Sequence, residues 1–243
     1  MKIFYLPVLI LGMLACNSSK NMLPDDSTST MTKNTTGTSD QLTYLALGDS
    51  YTIGEGVSEE GRYPSQLVTK LNAETTNTWA APKVIARTGW TVDELEQGIN
   101  KEEIDGKTYD LVTLLIGVNN QYRGRSVTDF EKEFEAMLKR AISFAGNDTN
   151  HVVVISIPDW GVTPFAQAQN RDASKVAKEI NAYNRACKTI SENHDVTYID
   201  ITEQYRKSGA ELEMLAADGL HPSAKMYTLW TDKLVKHIEP VFK

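Results

Sequence analysis

A serine, a histidine and an aspartate in this sequence have the types and spacing that acyl transfer requires. Ser50 lies in GDSYTIGEG (48–56), directly after the apolar run TYLAL. His221 lies in ADGLHPS, and Asp218 precedes it by three residues. Acyl transfer needs a nucleophile, a base that takes its proton and a group that orients the base. A hydroxyl, an imidazole that titrates near neutral pH and a carboxylate that holds the imidazole Nδ1 hydrogen suit these roles in turn.

The same chemistry needs hydrogen-bond donors for the charge that develops on the substrate oxygen. Three donors are available, namely the backbone N–H of Ser50, the backbone N–H of Gly89 in RTGW and the side-chain amide of Asn119 in GVNN. A glycine lets the backbone approach the substrate closely, and an amide donates at any pH without carrying charge. Each such donor lowers the barrier by about 3–4 kcal/mol. We therefore expect these three residues to form an oxyanion hole.

The neighbours of these residues have more than one interpretation. Asp49 is an acid beside the expected nucleophile, but we interpret it as structural. Pro222 is expected to stiffen the turn at His221 and to start the last helix. The alternative for Ser50 is a plain turn serine, and the alternative for His221 is an ordinary residue at a helix start.

The fold must bring four distant segments together for this chemistry to occur. From Leu42 onward, apolar runs of strand length alternate with amphipathic segments of helix length. The strand candidates are 42–47, 83–87, 109–117, 151–157 and 196–201. The helix candidates are 63–74, 91–102, 126–145, 171–193 and 223–238. The alternation predicts a doubly wound α/β sheet, in which ligands bind at the carboxyl ends of the strands.

The helix candidate at 126–145 has a clear apolar face. Phenylalanine, methionine, leucine and alanine recur there at spacings of three and four residues. Thr128 is expected to cap the start of this helix, with Glu131 three residues further on.

Four sequence blocks in this order resemble those of the SGNH, or GDSL, family of serine hydrolases. The family is named for a Ser, a Gly, an Asn and a His, which match Ser50 in GDSYTIG, Gly89 in ARTGW, Asn119 in GVNN and His221 in DGLHP. The resemblance covers about residues 42–240. It implies a flavodoxin-like three-layer α/β/α sandwich with a five-stranded parallel sheet. It also implies an esterase, lipase, thioesterase or carbohydrate acetylesterase that needs no metal or other cofactor.

The third block departs from the family pattern. It usually ends Asn-Asp, whereas here Asn120 follows Asn119. The resemblance assigns the oxyanion role to the first residue of the pair, so catalysis should survive, while loop support or pH dependence could differ. GVNNQYRG resembles a lysophospholipase-like or arylesterase-like branch of the family.

Five residues near the strand ends are candidate substrate contacts: Trp90, Asn120, Tyr122, Trp160 and Phe165. Trp160 and Phe165 follow the fourth strand, where aromatic side chains could line an acyl or sugar pocket. The alternative for both is packing over the end of the sheet, and Trp90 is equally open. The alternative for Asn120 is a turn former.

The first residues, 1–16, resemble a bacterial lipoprotein signal peptide. Lys2 is followed by an apolar stretch too short to span a bilayer. The stretch ends MLAC, which resembles a lipobox with Met13 where Leu is usual, so Cys16 is expected to be the lipidated N-terminus. The alternative is an ordinary signal peptide cut near Ala15.

The segment 17–40 is rich in Ser and Thr and has little to bury, which predicts a flexible tether. The hydrolase domain is then expected at 41–243. Together with the lipid anchor, this arrangement predicts a protein of the bacterial cell envelope that faces the periplasm or the outside.

Composition excludes several other functions. The net charge of -7 argues against a nucleic-acid partner, and four His and two Cys leave little material for a metal site. Cys187 has no partner for an intrachain disulfide once Cys16 is lipidated, and we expect it to be a small buried residue.

The sequence therefore predicts a metal-independent serine esterase that hydrolyses short-chain or O-acetyl esters, with a small-molecule ester as its partner. One alternative is a lysophospholipase or thioesterase that acts on longer acyl chains. Another, of a different class, is a surface lipoprotein that binds a glycan or lipid without turning it over.

Overall fold

Five short segments of the chain form one parallel sheet in the computed structural model, which describes residues 41–243. In chain order the strands are β1 (Tyr44–Gly48), β2 (Lys83–Ala86), β3 (Leu111–Leu115), β4 (Val152–Ile155) and β5 (Thr197–Ile199). Their order in the sheet is β2-β1-β3-β4-β5, and every neighbouring pair is parallel. The expected signal peptide, tether and Cys16 lie outside the described residues.

Helices follow the strands and cover both faces of the sheet. In chain order they are α1 (Ser50–Ile53), α2 (Tyr63–Glu74), α3 (Val92–Lys101), α4 (Val118–Tyr122), α5 (Val127–Phe144), α6 (Pro164–Ala168), α7 (Ala173–Asn193), α8 (Thr202–Ser208) and α9 (Ala224–Ile238). Helix α2 packs against α9, and α5 packs against both α3 and α7. The result is the predicted three-layer α/β/α sandwich. Within residues 41–243, no helix is both long and apolar enough to cross a membrane.

The inner strands show why the sheet must be covered on both sides. Every residue of β1, β3 and β4 is buried, whereas the edge strands β2 and β5 are partly exposed. Near-continuous apolar runs are typical of parallel strands that lie between two helix layers. Cys187 is buried in α7, as expected, and burial raises the pKa of its thiol.

The predicted strands and long helices are confirmed to within two residues at every end. The predicted cap of α5 is wrong, because Ser126 rather than Thr128 accepts a hydrogen bond from the backbone N–H of Asp129. Serine at the residue before the helix satisfies an amide that would otherwise have no partner. The sequence analysis also missed a capping box at the start of α3, formed by Thr91 and Glu94.

The carboxyl end of β1 lies close against its neighbours. Gly48 pairs with Ala86 of β2 and with Leu115 of β3. A Cβ at position 48 would lie 2.4 Å from the Leu115 carbonyl oxygen and 2.1 Å from the Thr52 hydroxyl. Only glycine fits there, and the chain can turn at once from β1 into α1.

Asp49 is the buried acid that joins β1 to α1. Its Oδ1 accepts a hydrogen bond of 3.0 Å from the backbone N–H of Tyr51, so it caps the helix that begins at Ser50. Asp49 is only 1% exposed, and its Oδ2 has no hydrogen-bond partner among residues 41–243. Burial raises the pKa of Asp49 to about 7, although the backbone bond from Tyr51 opposes the rise. The folded protein therefore favours the protonated acid.

We expect Asp49→Asn to remove a pH dependence of stability. A carboxyl whose pKa is raised by folding stabilises the folded state fully below its unfolded pKa of about 4, and this contribution is lost as the pH rises through the folded value. The unfolding free energy of the wild type, relative to Asp49→Asn, should therefore fall by at most about 1.4 kcal/mol for each pH unit in that window. Urea unfolding of both proteins between about pH 4.5 and 7.5 measures the difference. A difference that stays constant with pH contradicts the prediction.

Candidate active site

Ser50 is the first residue of α1, at the carboxyl end of β1. It is 4% exposed, and it lies on the wall of a cavity in the protein surface. Helix α9 fixes the position of α1, because the Tyr227 hydroxyl on α9 donates a 2.9 Å hydrogen bond to the Tyr51 carbonyl. The short helix thus presents the serine at the edge of the sheet.

Gly89 lies in the turn that follows β2. Its φ of +85° is in the left-handed region that favours glycine. The Gly89 carbonyl accepts a 2.6 Å hydrogen bond from Arg123 Nη2. The next carbonyl, that of Trp90, accepts a 3.0 Å bond from the Asn119 side-chain amide. The turn after β2 is therefore attached to α4, the helix that follows β3.

Three hydrogen-bond donors at these strand ends remain unused. In the described part of the chain, the backbone N–H groups of Ser50 and Gly89 have no hydrogen-bond acceptor. Asn119 uses one hydrogen of its amide on the Trp90 carbonyl, and an amide nitrogen carries a second. Unpaired donors are uncommon next to a packed sheet, and here they occur around one cavity.

His221 and Asp218 form a close pair in the loop before α9. The distance from His221 Nδ1 to Asp218 Oδ2 is 2.5 Å. The other carboxylate oxygen accepts backbone hydrogen bonds from Leu220 at 2.9 Å and from His221 at 3.0 Å. Partial burial acts to raise the pKa of Asp218, but the hydrogen bonds from His221 and the backbone outweigh it, and the pKa is lowered. The carboxylate is thus held ionised beside the imidazole.

The loop that carries His221 is fixed by its own backbone and by two tyrosines. The Ala216 amide donates to the His221 carbonyl at 2.7 Å, and the Tyr205 hydroxyl donates to the Leu220 carbonyl. The Tyr51 ring lies 5.2 Å from the imidazole, measured between ring centroids. The prediction for Pro222 is wrong in part, since this residue pairs with Leu215 in an antiparallel bridge and Ser223 caps α9 instead.

One cavity of about 230 Å³ is lined by all four residues that match the family blocks. It is lined by Ser50, Tyr51, Thr88, Gly89, Val118, Asn119, Tyr122, Trp160, Phe165, Leu220 and His221. Ser50 and His221 face the same cavity, although no hydrogen bond joins their side chains in the described residues. Such contacts are often long without substrate and tighten when it binds.

Three of the five candidate substrate contacts form one aromatic wall of this cavity. The ring centroids of Tyr122 and Trp160 are 5.3 Å apart, and those of Trp160 and Phe165 are 6.5 Å apart. The Trp160 indole N–H donates a 2.8 Å hydrogen bond to Gln121 Oε1, which fixes the ring. The Arg171 guanidinium lies over Tyr122 and Trp160, at 5.0 and 5.8 Å from their centroids.

The structure does not place the other two candidates, Trp90 and Asn120, on the wall of the cavity. The Trp90 indole packs on α3, where a Cβ at Gly98 would lie 2.1 Å from the ring. The Asn120 side chain is buried and joins helices, accepting from the Val92 amide at 3.1 Å and donating to Glu133 at 3.0 Å. Both residues neighbour a site residue in sequence, but their side chains point into the packing between helices.

Several residues of the site were not singled out from the sequence. Four of them line the cavity, and each is directly adjacent in sequence to a motif residue: Tyr51, Thr88, Val118 and Leu220. That proximity was the available signal. Arg171 gave none, because its contact with the aromatic wall depends on the tertiary fold. Among residues 41–243, no three His, Cys, Asp or Glu side chains are grouped as metal ligands would be.

The profile described as the GDSL-like Lipase/Acylhydrolase family matches residues 46–229. The spore germination lipase LipC of Bacillus licheniformis is 26% identical over 216 residues, covering 79% of this chain and 94% of that protein. A lipase/acylhydrolase from Enterococcus faecalis has a TM-score of 0.63 at 23% identity, covering 82% of this chain and 96% of that one. Axe2, an acetylxylan esterase from Geobacillus stearothermophilus, has a TM-score of 0.61 at 19% identity, covering 81% and 94%.

The two solved structures share the fold of this chain, and the family profile begins within β1, spans β2 to β5 and ends within α9. The profile also includes the segments of Ser50, Gly89, Asn119 and His221 that meet at the cavity. The chain therefore belongs to the GDSL-like lipase/acylhydrolase family and is a carboxylic ester hydrolase.

Proposed function

We propose that the chain hydrolyses esters through an acyl-enzyme on Ser50. The observation that carries this proposal is the meeting of Ser50, His221 and three unused donors at one cavity. The Ser50 oxygen attacks the ester carbonyl carbon, and its proton passes to His221 Nε2. Asp218 holds the Nδ1 hydrogen and stabilises the imidazolium that forms.

The oxyanion of the tetrahedral intermediate is stabilised by the backbone N–H groups of Ser50 and Gly89 and by the free amide hydrogen of Asn119. When the intermediate collapses, the bond to the alcohol oxygen breaks and His221 gives its proton to the leaving alcohol. Water then attacks the acyl group and loses a proton to His221. The carboxylic acid leaves, and the proton returns to Ser50.

The cavity supports a small acyl group as the substrate's acid half. Its volume of about 230 Å³ is below the range of about 300–1,000 Å³ that holds drug-sized ligands. The aromatic wall of Tyr122, Trp160 and Phe165 offers flat apolar surface beside Ser50, which suits a short acyl chain or a sugar ring. We infer a short-chain or O-acetyl ester, and the acetylxylan esterase Axe2 of the same fold is consistent with this class. A lysophospholipase or thioesterase of longer chains is the competing candidate.

We also propose that Cys16 is lipidated and that residues 17–40 tether the hydrolase domain, 41–243, to a membrane of the bacterial cell envelope. The support is the sequence alone, in which MLAC follows a short apolar stretch and precedes a Ser/Thr-rich segment. Several acyl chains would hold the protein firmly, whereas one does so only marginally.

Ser50→Ala should abolish hydrolysis of p-nitrophenyl acetate and butyrate. Removing the nucleophile is expected to lower kcat by at least about 10³-fold, since only the binding and oxyanion terms remain. A fluorophosphonate probe should label the wild type at this residue and leave the variant unlabelled. Ser58→Ala, a change at an exposed serine eight residues away, is the matched control and should retain full activity.

Turnover by Ser50→Ala equal to that of the control would overturn the proposed mechanism. If the wild type binds a glycan or lipid but neither hydrolyses the p-nitrophenyl esters nor reacts with the fluorophosphonate probe, the protein is a non-catalytic glycan- or lipid-binding protein.

Activity on p-nitrophenyl esters should peak at acyl chains of about two to four carbons, because the cavity is small. Phe165→Ala should move this peak to longer chains, since it removes one side of the aromatic wall without touching Ser50 or His221. The measurement is kcat/KM across the chain-length series for both proteins. A wild-type peak at ten carbons or more would favour the lysophospholipase or thioesterase.

Cells that express the full chain should incorporate radiolabelled palmitate into the protein, and Cys16→Ala should abolish that label. Intact mass of the purified protein reports the same change as the loss of the lipid. Equal labelling of both proteins, or a mature N-terminus near Ala15 without lipid, would show an ordinary signal peptide.

A further inference from the structure

We propose that Arg123 is a positioning residue that fixes the Gly89 amide in the oxyanion hole. The proposal rests on the proposed function, because it takes Gly89 and Asn119 as the oxyanion donors. Arg123 is not among the residues that line the cavity, and its side chain is 42% exposed. Its side chain instead contacts Gly89 and Glu94, so we assign it an effect through the groups that it holds.

The guanidinium of Arg123 bridges three elements. Arg123 directly follows α4, its Nη2 donates to the Gly89 carbonyl at 2.6 Å, and its Nη1 donates to Glu94 Oε1 at 3.0 Å. Glu94 is also fixed, because its other oxygen accepts from the Thr91 amide in the capping box of α3. The hydrogen bond from Arg123 is the leading reason that the pKa of Glu94 is lowered. The planar guanidinium holds its donors in a fixed fork that reaches both acceptors, whereas an ammonium group is a compact point charge that would hold them less well.

Gly89 needs such a restraint more than any other residue would. It has no side chain to limit its backbone, and glycine reaches many conformations that other residues avoid. Arg123 is the only partner of the Gly89 carbonyl among residues 41–243. Without this bond, the turn would keep the 3.2 Å hydrogen bond from the Trp90 amide to the Arg87 carbonyl, but the Gly89 carbonyl would have no partner and the direction of the Gly89 N–H would be less restrained.

The bond from Arg123 to Gly89 is one of three hydrogen bonds made by consecutive residues of this turn, 88–90. Thr88 donates to the Glu55 carboxylate, which follows α1, while Trp90 accepts from Asn119 of α4. Arg123 supplies the middle bond, at Gly89 itself. Three consecutive residues of the turn are thus hydrogen-bonded to the segments that carry the other two oxyanion donors. Of the three, only the middle bond acts on the glycine whose amide faces the substrate.

The test compares Arg123→Gln and Arg123→Lys with Arg125→Gln. Arg125 is the matched control, since it is 32% exposed and also bonds to α3, through Asp93 at 2.6 Å, but touches none of residues 88–90. Arg123→Gln should lower kcat for p-nitrophenyl acetate by about 10- to 100-fold, because displacing a donor costs less than deleting it. KM should stay within about twofold, since the donor acts in the transition state. Arg123→Lys should recover part of the loss, and Arg125→Gln should match the wild type.

A second measurement separates positioning from loss of fold. A boronic acid that forms a tetrahedral adduct with Ser50 should bind Arg123→Gln more weakly by about the factor lost in kcat. The melting temperatures of Arg123→Gln and Arg125→Gln should be similar. A kcat for Arg123→Gln within about twofold of the control, or a loss that lies wholly in KM, would overturn the proposal. So would a loss of kcat with no loss of boronate affinity.

The same assay distinguishes this proposal from the mechanism on which it rests. If Ser50→Ala keeps its activity, the acyl-enzyme mechanism is wrong. If Ser50→Ala is inactive while Arg123→Gln behaves as the control, only the role of Arg123 is wrong.

Discussion

The parallel register of β1 between β2 and β3 determines where the site can form. Gly48 pairs with Ala86 on one side and with Leu115 on the other, so three strands end at the same level of the sheet. The missing side chain of Gly48 allows its backbone to lie against the Leu115 carbonyl. The first residues beyond these three ends then supply the serine hydroxyl and the three unused donors. A shift in this register would separate them, because each follows a different strand end.

The position of His221 depends on side-chain packing and not on the register of the strands. His221 lies in a loop closed by the bond from the Ala216 amide to its own carbonyl, and Tyr205 holds the same loop from α8. Tyr51 links this loop to the nucleophile. It is the residue after Ser50, and its ring lies against the imidazole of His221. The position of the base relative to the nucleophile therefore depends on two buried tyrosines, Tyr51 on the cavity wall and Tyr205 in α8.

Sequence reasoning predicted the long elements well and the side-chain directions poorly. Helices such as α2 and α5 repeat their apolar pattern over several turns, so their limits are readable. Helices α1 and α4, with four and five residues, are too short to show a period, and both were missed. The residues of three blocks were identified from their places after strands, and His221 from its place before the last helix. Trp90 was left open between substrate contact and packing, because its contact with Gly98 depends on how α3 packs, which no local pattern encodes.

The amide at position 120 is explained by the charge that faces it. Asn120 is fully buried, accepts from the Val92 amide and donates to the Glu133 carboxylate on α5. An aspartate could accept from Val92, but it has no hydrogen to donate to Glu133 when ionised. Two carboxylates at hydrogen-bond distance would repel, and one would have to remain protonated. Asparagine joins α3, α4 and α5 without that cost. The departure from the family's usual Asp is thus matched to Glu133, and it supports the neighbouring Asn119 without adding charge beside the cavity.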